Sequence, residues 1–255
     1  MVSGHRAIFL MSILCAAGQV LAGDVSVAVA SNFSAPMKQL IGQFEMRTGH
    51  KVSVAYGGTG QLYAQIRHGA PFDVFLSADQ TTPERLMAEG MAVAGSQRTY
   101  AVGRLVLWSS GQNVVDSQGK VLRDGDFKHL AIANPKLAPY GRAAIETLQS
   151  LGLWQALEKK LVEGKNISQA YQFVVTGNAT LGFVAMSQVF AHGRIARGSG
   201  WVVPQRLYAP IRQDLVLLRG AKLNKAANDL IQFIRSPAAE DVIRRFGYQT
   251  VESMQ

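Results

Sequence analysis

Cysteine is almost missing from this chain. The single one, Cys15, stands in an apolar run near the start, so no disulfide framework and no thiolate metal site is open to the rest of the sequence. Histidine is scarce as well, and no two of the five lie at a metal-ligand spacing such as i, i+4, which argues against a bound metal cation or a metal cofactor. Charged residues make up only 17% against 48% hydrophobic ones, a balance that excludes a disordered polyelectrolyte and predicts a globular fold resting on its own core. Long apolar runs are absent with one exception. Ala7 to Ala17 is uncharged, follows Arg6 and leads to Val20-Leu21-Ala22, the three parts of a secretory signal peptide, and it falls short of the ~20 residues of a membrane span. Cleavage is predicted after about Ala22. Leu14 precedes Cys15 where a lipid-anchored cysteine would follow Gly, Ala or Ser, so the mature chain is expected to be free in the periplasm, as a monomer.

What the chain has in excess is positive charge, a formal +9. A basic surface concentrates anions around it. Nucleic acid is excluded as the partner by export and by the dispersal of the Lys and Arg residues, which form no single periodic face.

Hydrophobic patterning predicts an α/β chain. Asp24–Ala30 reads as a strand, Met37, Leu40, Ile41 and Phe44 recur at helical spacing up to Gly49, and Lys51–Tyr56 is the next strand. Gln61–His68 reads as a short helix and Phe72–Leu76 as a third strand, the β-α-β-α-β rhythm of a parallel sheet covered by helices. Thr82 and Pro83 open a further helix and Gly90 closes it. Tyr100–Ser109 reads as one long strand. A polar, turn-rich stretch follows, and the alternation then restarts: strand Leu130–Ala133, helices near 140–151 and 168–175, strand Leu181–Ala185 and helix Ser187–Ala191. Strand Asp214–Leu218 and helices Asn224–Arg235 and Pro237–Phe246 complete the chain. Two long strands bracketing a second α/β unit predict two lobes, each a mostly parallel sheet flanked by helices, with two crossover strands as hinge. The expected division is a signal peptide at 1–22, one lobe from 23–105 with a return at 208–255, and the other lobe at 106–207.

One pattern carries chemistry. A strand ends, a small hydroxyl, amide or Gly-rich step follows, and a helix begins, first at Ala30-Ser31-Asn32-Phe33-Ser34 and again at Tyr56-Gly57-Gly58-Thr59-Gly60-Gln61. Taken singly, these are ordinary caps and turns. Helix starts also expose unpartnered N–H groups and about half a positive charge, so together they form an anion site, with Ser31 and Thr59 adding hydroxyl donors. Asn134-Pro135-Lys136-Leu137-Ala138-Pro139-Tyr140-Gly141 and Lys165-Asn166-Ile167-Ser168 repeat the pattern in the second half. Two such steps per lobe would make one cage where the lobes meet, with Tyr140 either a phenol donor or a packing residue.

Gly69-Ala70-Pro71-Phe72-Asp73-Val74-Phe75-Leu76-Ser77-Ala78-Asp79 resembles the G-A-P-x-D-[VL]-F-x-S-A-D run of the periplasmic molybdate-binding proteins of bacterial ABC importers, which have the type II periplasmic binding protein fold. Ala30-Ser31-Asn32, Asn134-Pro135 with Pro139-Tyr140-Gly141, and Leu181-Gly182-Phe183-Val184-Ala185 match that family in the same order, so the resemblance covers Val25 to about Tyr248. It implies an oxyanion site at Ser31, Asn32, Thr59, Tyr140 and Ile167, molybdate or tungstate as the ligand, no cofactor, no catalysis, and a membrane permease as partner. Ser31 and Thr59 would donate through hydroxyl and N–H, Asn32 and Ile167 chiefly through N–H, Tyr140 through its phenol. Some relatives draw a tyrosine from the segment that here ends in Ala185, so Tyr140 would supply that donor instead. Sulfate is the alternative ligand, since it shares the charge and shape of molybdate.

Other classes fare worse. A hydrolase triad of Ser77 and Asp79 with His50, His68, His129 or His192 lacks a Gly-x-Ser-x-Gly elbow, and these histidines fall in polar stretches expected to be exposed. Paired tyrosines for ferric ion would need Tyr171 beside Tyr140, but Tyr171 sits in a helical pattern with Phe173 and Val174 and is expected to pack. A regulator's sensory module would need a DNA-binding segment, and none is seen.

Overall fold

A computed structural model of the chain describes residues 22–250. The signal-peptide run lies outside the described residues. The first lobe opens with β1 (Asp24–Ala30), a 3-10 turn over Ser31–Phe33, α1 (Ser34–Thr48), β2 (Lys51–Gly57), α2 (Thr59–Arg67), β3 (Val74–Leu76), α3 (Thr81–Ala88) and β4 (Arg98–Gly103). Gly49 ends α1 in the left-handed conformation, at φ 74°, with its N–H on the Glu45 carbonyl.

The second lobe runs through β5 (Leu105–Ser109), α4 (Val121–Asp124), β6 (Leu130–Ala133), α5 (Pro139–Ser150), α6 (Trp154–Leu157), β7 (Leu161–Gly164) and α7 (Ile167–Val175). It continues with β8 (Leu181–Ala185), α8 (Met186–Val189), a small hairpin of β9 (Phe190–Ala191) and β10 (Arg194–Ile195), and β11 (Ser199–Val202). The chain then returns to the first lobe as β12 (Ile211–Leu217), α9 (Lys225–Ile234) and α10 (Pro237–Arg245).

The sheets are ordered β2-β1-β3-β12-β4 and β11-β5-β8-β6-β7. Each is mixed: β1 pairs parallel with β2 and β3, and β6 with β7 and β8, whereas the strands next to the lobe crossings, β4, β5, β11 and β12, pair antiparallel. Alternation along β1 explains how both faces of the first sheet are covered. Val25, Val27 and Val29 pack with Met37 and Leu40 of α1 and Leu230 of α9, while Ala28 on the other face joins Leu62 and Ile66 of α2 and Leu86 of α3. The second lobe has its own core, which takes in Trp108, Phe183 and Trp201, with Trp154 packed against it and Tyr171 stacked on Trp108 at 5.2 Å. Tyr171 is thus a packing residue.

Several sequence expectations change. The expected single strand Tyr100–Ser109 is two strands in different sheets, parted at Arg104, because the apolar pattern runs unbroken through the crossing. Strand β12 begins at Ile211, before the expected Asp214, and its polar Arg212-Gln213-Asp214 hid that start. The helix expected over Ser187–Ala191 is the short α8, and Phe190–Ala191 turns into the hairpin. Strands β7 and β11 carry glycine in four-residue runs and left too little pattern to read. His50 is fully buried, not exposed: its Nδ1 accepts from the Gly23 N–H at 2.9 Å, and its Nε2 meets Asp229 Oδ2 at 3.0 Å, tying the start of β1 to α9.

Gly141 shows how closely the cleft elements approach. A Cβ there would stand 2.1 Å from the Ala133 carbonyl oxygen, at the end of β6. Gly141→Ala should therefore lower stability by roughly 1–3 kcal/mol or more, the usual cost of overpacking. Urea unfolding measures this, and an unchanged midpoint would contradict so tight a fit.

Candidate functional site

Four helical segments start between the two sheets, each following the carboxyl end of a parallel strand, at once or after a short loop. The turn at Ser31 follows β1, α2 follows β2, α5 follows β6 and α7 follows β7, two from each lobe. In an open α/β sheet this edge is where ligands bind. Ser31 is the first and Asn32 the second residue of the turn; Thr59 is the first residue of α2, Tyr140 the second of α5 and Ile167 the first of α7. Helix α2 begins at Thr59, ahead of the expected Gln61, which places the Thr59 N–H in the first turn itself. None of the five is more than 6% exposed.

Contacts across the cleft bring these steps together. The Gly60 N–H donates to the Leu137 carbonyl at 3.0 Å, which ties the start of α2 to the loop before α5. Ser168 of α7 donates to the Ser31 carbonyl at 3.4 Å, and a Cβ on Gly58 would meet Asn166 Cβ at 3.3 Å. Ser187 donates to the Asn32 carbonyl at 2.7 Å, while Gln213 links Asn32 to Tyr140 through its two amide atoms, at 2.8 and 3.1 Å.

The donors left for a ligand follow from what is already used. Asn166 caps α7 by accepting from the Ser168 and Gln169 N–H groups at 3.0 and 3.1 Å, so of the first three N–H groups the cap leaves that of Ile167. The Thr59 hydroxyl accepts from the Ala78 N–H at 3.1 Å, and its hydrogen is free to donate elsewhere. Asn32 spends its side-chain amide inside the protein, so only its N–H can serve a ligand. Burial holds the Tyr140 phenol well above the usual tyrosine pKa, with the neighbouring Tyr248 and Tyr208 adding to the shift and the Gln213 hydrogen bond opposing it. It stays protonated and can donate. Ala185 is fully buried at the end of β8, paired with Leu105, has no polar side chain and gives its N–H to Gln188 Oε1 at 2.9 Å.

Among the described residues no Lys or Arg side chain hydrogen-bonds any of these five. A charged pair does cross between the lobes, Arg142 Nη2 to Asp79 Oδ2 at 3.1 Å. A cavity of about 470 Å3 opens beside Thr59 at this pair, lined also by Arg85 and Lys136. Ser77 does donate to Asp79 at 3.0 Å, but two of the four histidines a triad could use are occupied elsewhere, His50 by Gly23 and Asp229 and His129 by the Asn178 carbonyl. No group of three or more His, Cys, Asp or Glu residues suited to a metal ion occurs among the described residues. Gln213, Tyr248 and Ser187, which hold Asn32 and Tyr140 in place, escaped the sequence reading. The only signal was the interruption of an apolar strand by Gln213 and Asp214.

The sequence profile described as bacterial extracellular solute-binding protein matches residues 25–249, nearly all of the described chain. The chain belongs to this family. Among its relatives, this solute-binding protein is 58% identical over 227 residues to the molybdate-binding protein ModA of Azotobacter vinelandii, covering 89% of this chain and 90% of that one. It is 53% identical over 229 residues to ModA of Rhodobacter capsulatus, covering 90% and 89%. The solved periplasmic molybdate-binding protein of A. vinelandii superposes with a TM-score of 0.85 at 41% identity, over 88% of this chain and 98% of that one. A sulfate-binding protein of Mycobacterium tuberculosis shares the fold alone, at 14% identity and a TM-score of 0.71.

The buried phenols of this solute-binding protein predict its alkaline behaviour. Burial raises Tyr248 to about 12 from 10.0 and holds Tyr100 and Tyr140 well above 10.0. The folded state then keeps protons that the unfolded state loses, so these groups leave stability flat below about pH 10 and reduce it as the pH rises further, Tyr248 until about pH 12. Phenolate absorbance of the folded protein should accordingly rise in two phases, the later one together with unfolding. Full ionisation of all seven tyrosines before unfolding would contradict the burial.

Proposed function

We propose that this solute-binding protein captures molybdate between its lobes and presents it to the inner-membrane permease of an ABC importer, with tungstate as a second ligand. It acts as a periplasmic monomer without nucleic acid, after cleavage of the leader at about Ala22, and performs no catalysis. Residues 23–104 with 208–250 form one binding lobe and 105–207 the other, the crossing at Arg104 standing one residue ahead of the boundary expected from the sequence. The observation that carries the reading is the meeting of four helix starts from both lobes around neutral donors only.

Ser31 and Thr59 supply hydroxyl and N–H donors, Asn32 and Ile167 their N–H groups, and Tyr140 its phenol. Molybdate is a bare dianion near neutral pH and accepts at every oxygen, so a cage of donors satisfies it completely. A hydrogen phosphate carries an O–H for which such a cage has no acceptor, and it loses affinity by that mismatch. Sulfate differs only in size, and a cage closed on longer metal–oxygen bonds holds it loosely. Fixed dipoles without an ion pair also permit release to the permease. Arg85, Lys136 and Arg142 at the mouth raise the local anion concentration without touching the bound ion. Relatives at 58% and 53% identity named as molybdate-binding support this choice of ligand over the sulfate of a relative sharing only the fold.

Calorimetry of the mature protein with molybdate, tungstate, sulfate and phosphate tests the reading. Tight binding of the first two is expected, and tight sulfate binding or no molybdate binding overturns it. Ser31→Ala and Thr59→Ala should each weaken molybdate by roughly 1–3 kcal/mol, the worth of a hydrogen bond to a charged group. Unchanged affinity in both would reassign the site.

A further inference from the structure

Tyr140 comes to the cleft from the second lobe, and Gln213 Nε2 of the first lobe meets its hydroxyl at 3.1 Å, with the Tyr248 phenol, also of the first lobe, beside it. Gln213 is fully buried on β12, at an irregularity in the pairing with β4. The space for this pair is kept by Gly103, where a Cβ would stand 2.1 Å from the Tyr140 hydroxyl and 2.6 Å from Gln213 Nε2. A buried amide with both ends committed is a device for fixing direction.

We infer that Gln213 is a positioning residue for anion selectivity: it occupies the oxygen of the Tyr140 hydroxyl and so turns that hydroxyl into a donor toward the ligand. The inference rests on the proposed role of Tyr140 in the oxyanion site. The direction is set one bond at a time. The Asn32 carbonyl can only accept, so the Tyr248 hydroxyl, 2.8 Å away, donates to it. Having spent its one hydrogen, the Tyr248 oxygen accepts from the Asn32 side chain at 3.0 Å, which makes that atom the amide nitrogen. The second hydrogen of that nitrogen goes to Gln213 Oε1 at 2.8 Å. The Tyr100 hydroxyl gives its one hydrogen to the Ser77 carbonyl at 2.9 Å and lies 3.1 Å from Gln213 Oε1, so it is the Asn32 amide that sets the orientation of Gln213. Gln213 therefore turns Nε2 to Tyr140 and donates to it, and the phenol hydrogen is directed out of the pair. Reversing both amides would draw the Tyr248 hydrogen to Asn32 Oδ1 and leave two oxygens 2.8 Å apart with no hydrogen between them. A ligand with its own O–H finds the Tyr140 oxygen already taken; one with bare oxygens finds a donor.

The test is equilibrium titration with molybdate of the full mature protein carrying Tyr140→Phe, Gln213→Met, Gln213→Glu, and the Phe and Met changes combined. Gln213→Met should weaken binding about tenfold and add almost nothing to Tyr140→Phe, because coupled residues are non-additive. Gln213→Glu keeps the shape of the side chain. Its carboxylate would draw the Tyr140 hydrogen to itself near pH 8 and weaken binding, and a buried carboxyl regaining its hydrogen toward about pH 5.5 would restore it in part, with no such pH dependence in Gln213→Met. Wild-type affinity in Gln213→Met, a full additive loss in the combined variant, or a pH-independent Gln213→Glu would each overturn the inference. Unchanged affinity in Tyr140→Phe alone would instead remove Tyr140 from the anion site, and the reading beneath the inference would fall first.

Discussion

The Asn32 peptide is where the lobes are held in register. Its carbonyl accepts from Ser187 of the second lobe at 2.7 Å and from Tyr248 of the first at 2.8 Å, and its side chain donates to Gln213 and Tyr248. With every one of these groups buried, an unmade bond would cost more than a made one contributes, so the network holds one arrangement. The Asn32 N–H is the part of the residue that this network leaves to a ligand. Ser31 and the start of α7 are joined next to it, and Tyr140 is reached through Gln213.

In the function proposed above, neutral donors and a nearby but separate charge divide the work of binding. The basic mouth attracts any anion over a distance that salt limits to about 8–10 Å at physiological ionic strength. Selection happens deeper, where helix starts and hydroxyls present hydrogens and almost no free acceptors. The Arg142–Asp79 pair spans the lobes at the boundary between these zones and keeps the guanidinium occupied. Arg142 is half exposed, so the pair contributes little stability by itself.

The helix-start pattern was legible in the sequence because it is local: a strand, a small polar step and a helix lie next to each other at Ser31, Thr59 and Ile167. Signals of this kind survive without tertiary knowledge. Gln213, Tyr248 and Ser187 were not legible, since their roles come from partners 181, 216 and 155 residues away from them at Asn32. The crossing at Arg104 was hidden for a related reason. Tyr100 to Ser109 has one continuous apolar pattern because both sheets bury it, and periodicity cannot say which sheet a strand joins. The burial of His50 is not legible because its sequence neighbours are polar, while its partner Asp229 is supplied by a distant helix.

A crystal structure with molybdate bound tests the central claim most directly. The account predicts one anion between the lobes, its oxygens within hydrogen-bond distance of the Ser31 and Thr59 hydroxyls, the Asn32 and Ile167 N–H groups and the Tyr140 phenol, with Arg142 still on Asp79. An anion held by Arg142, Arg85 or Lys136 at the mouth, with the five donors unoccupied, would contradict it.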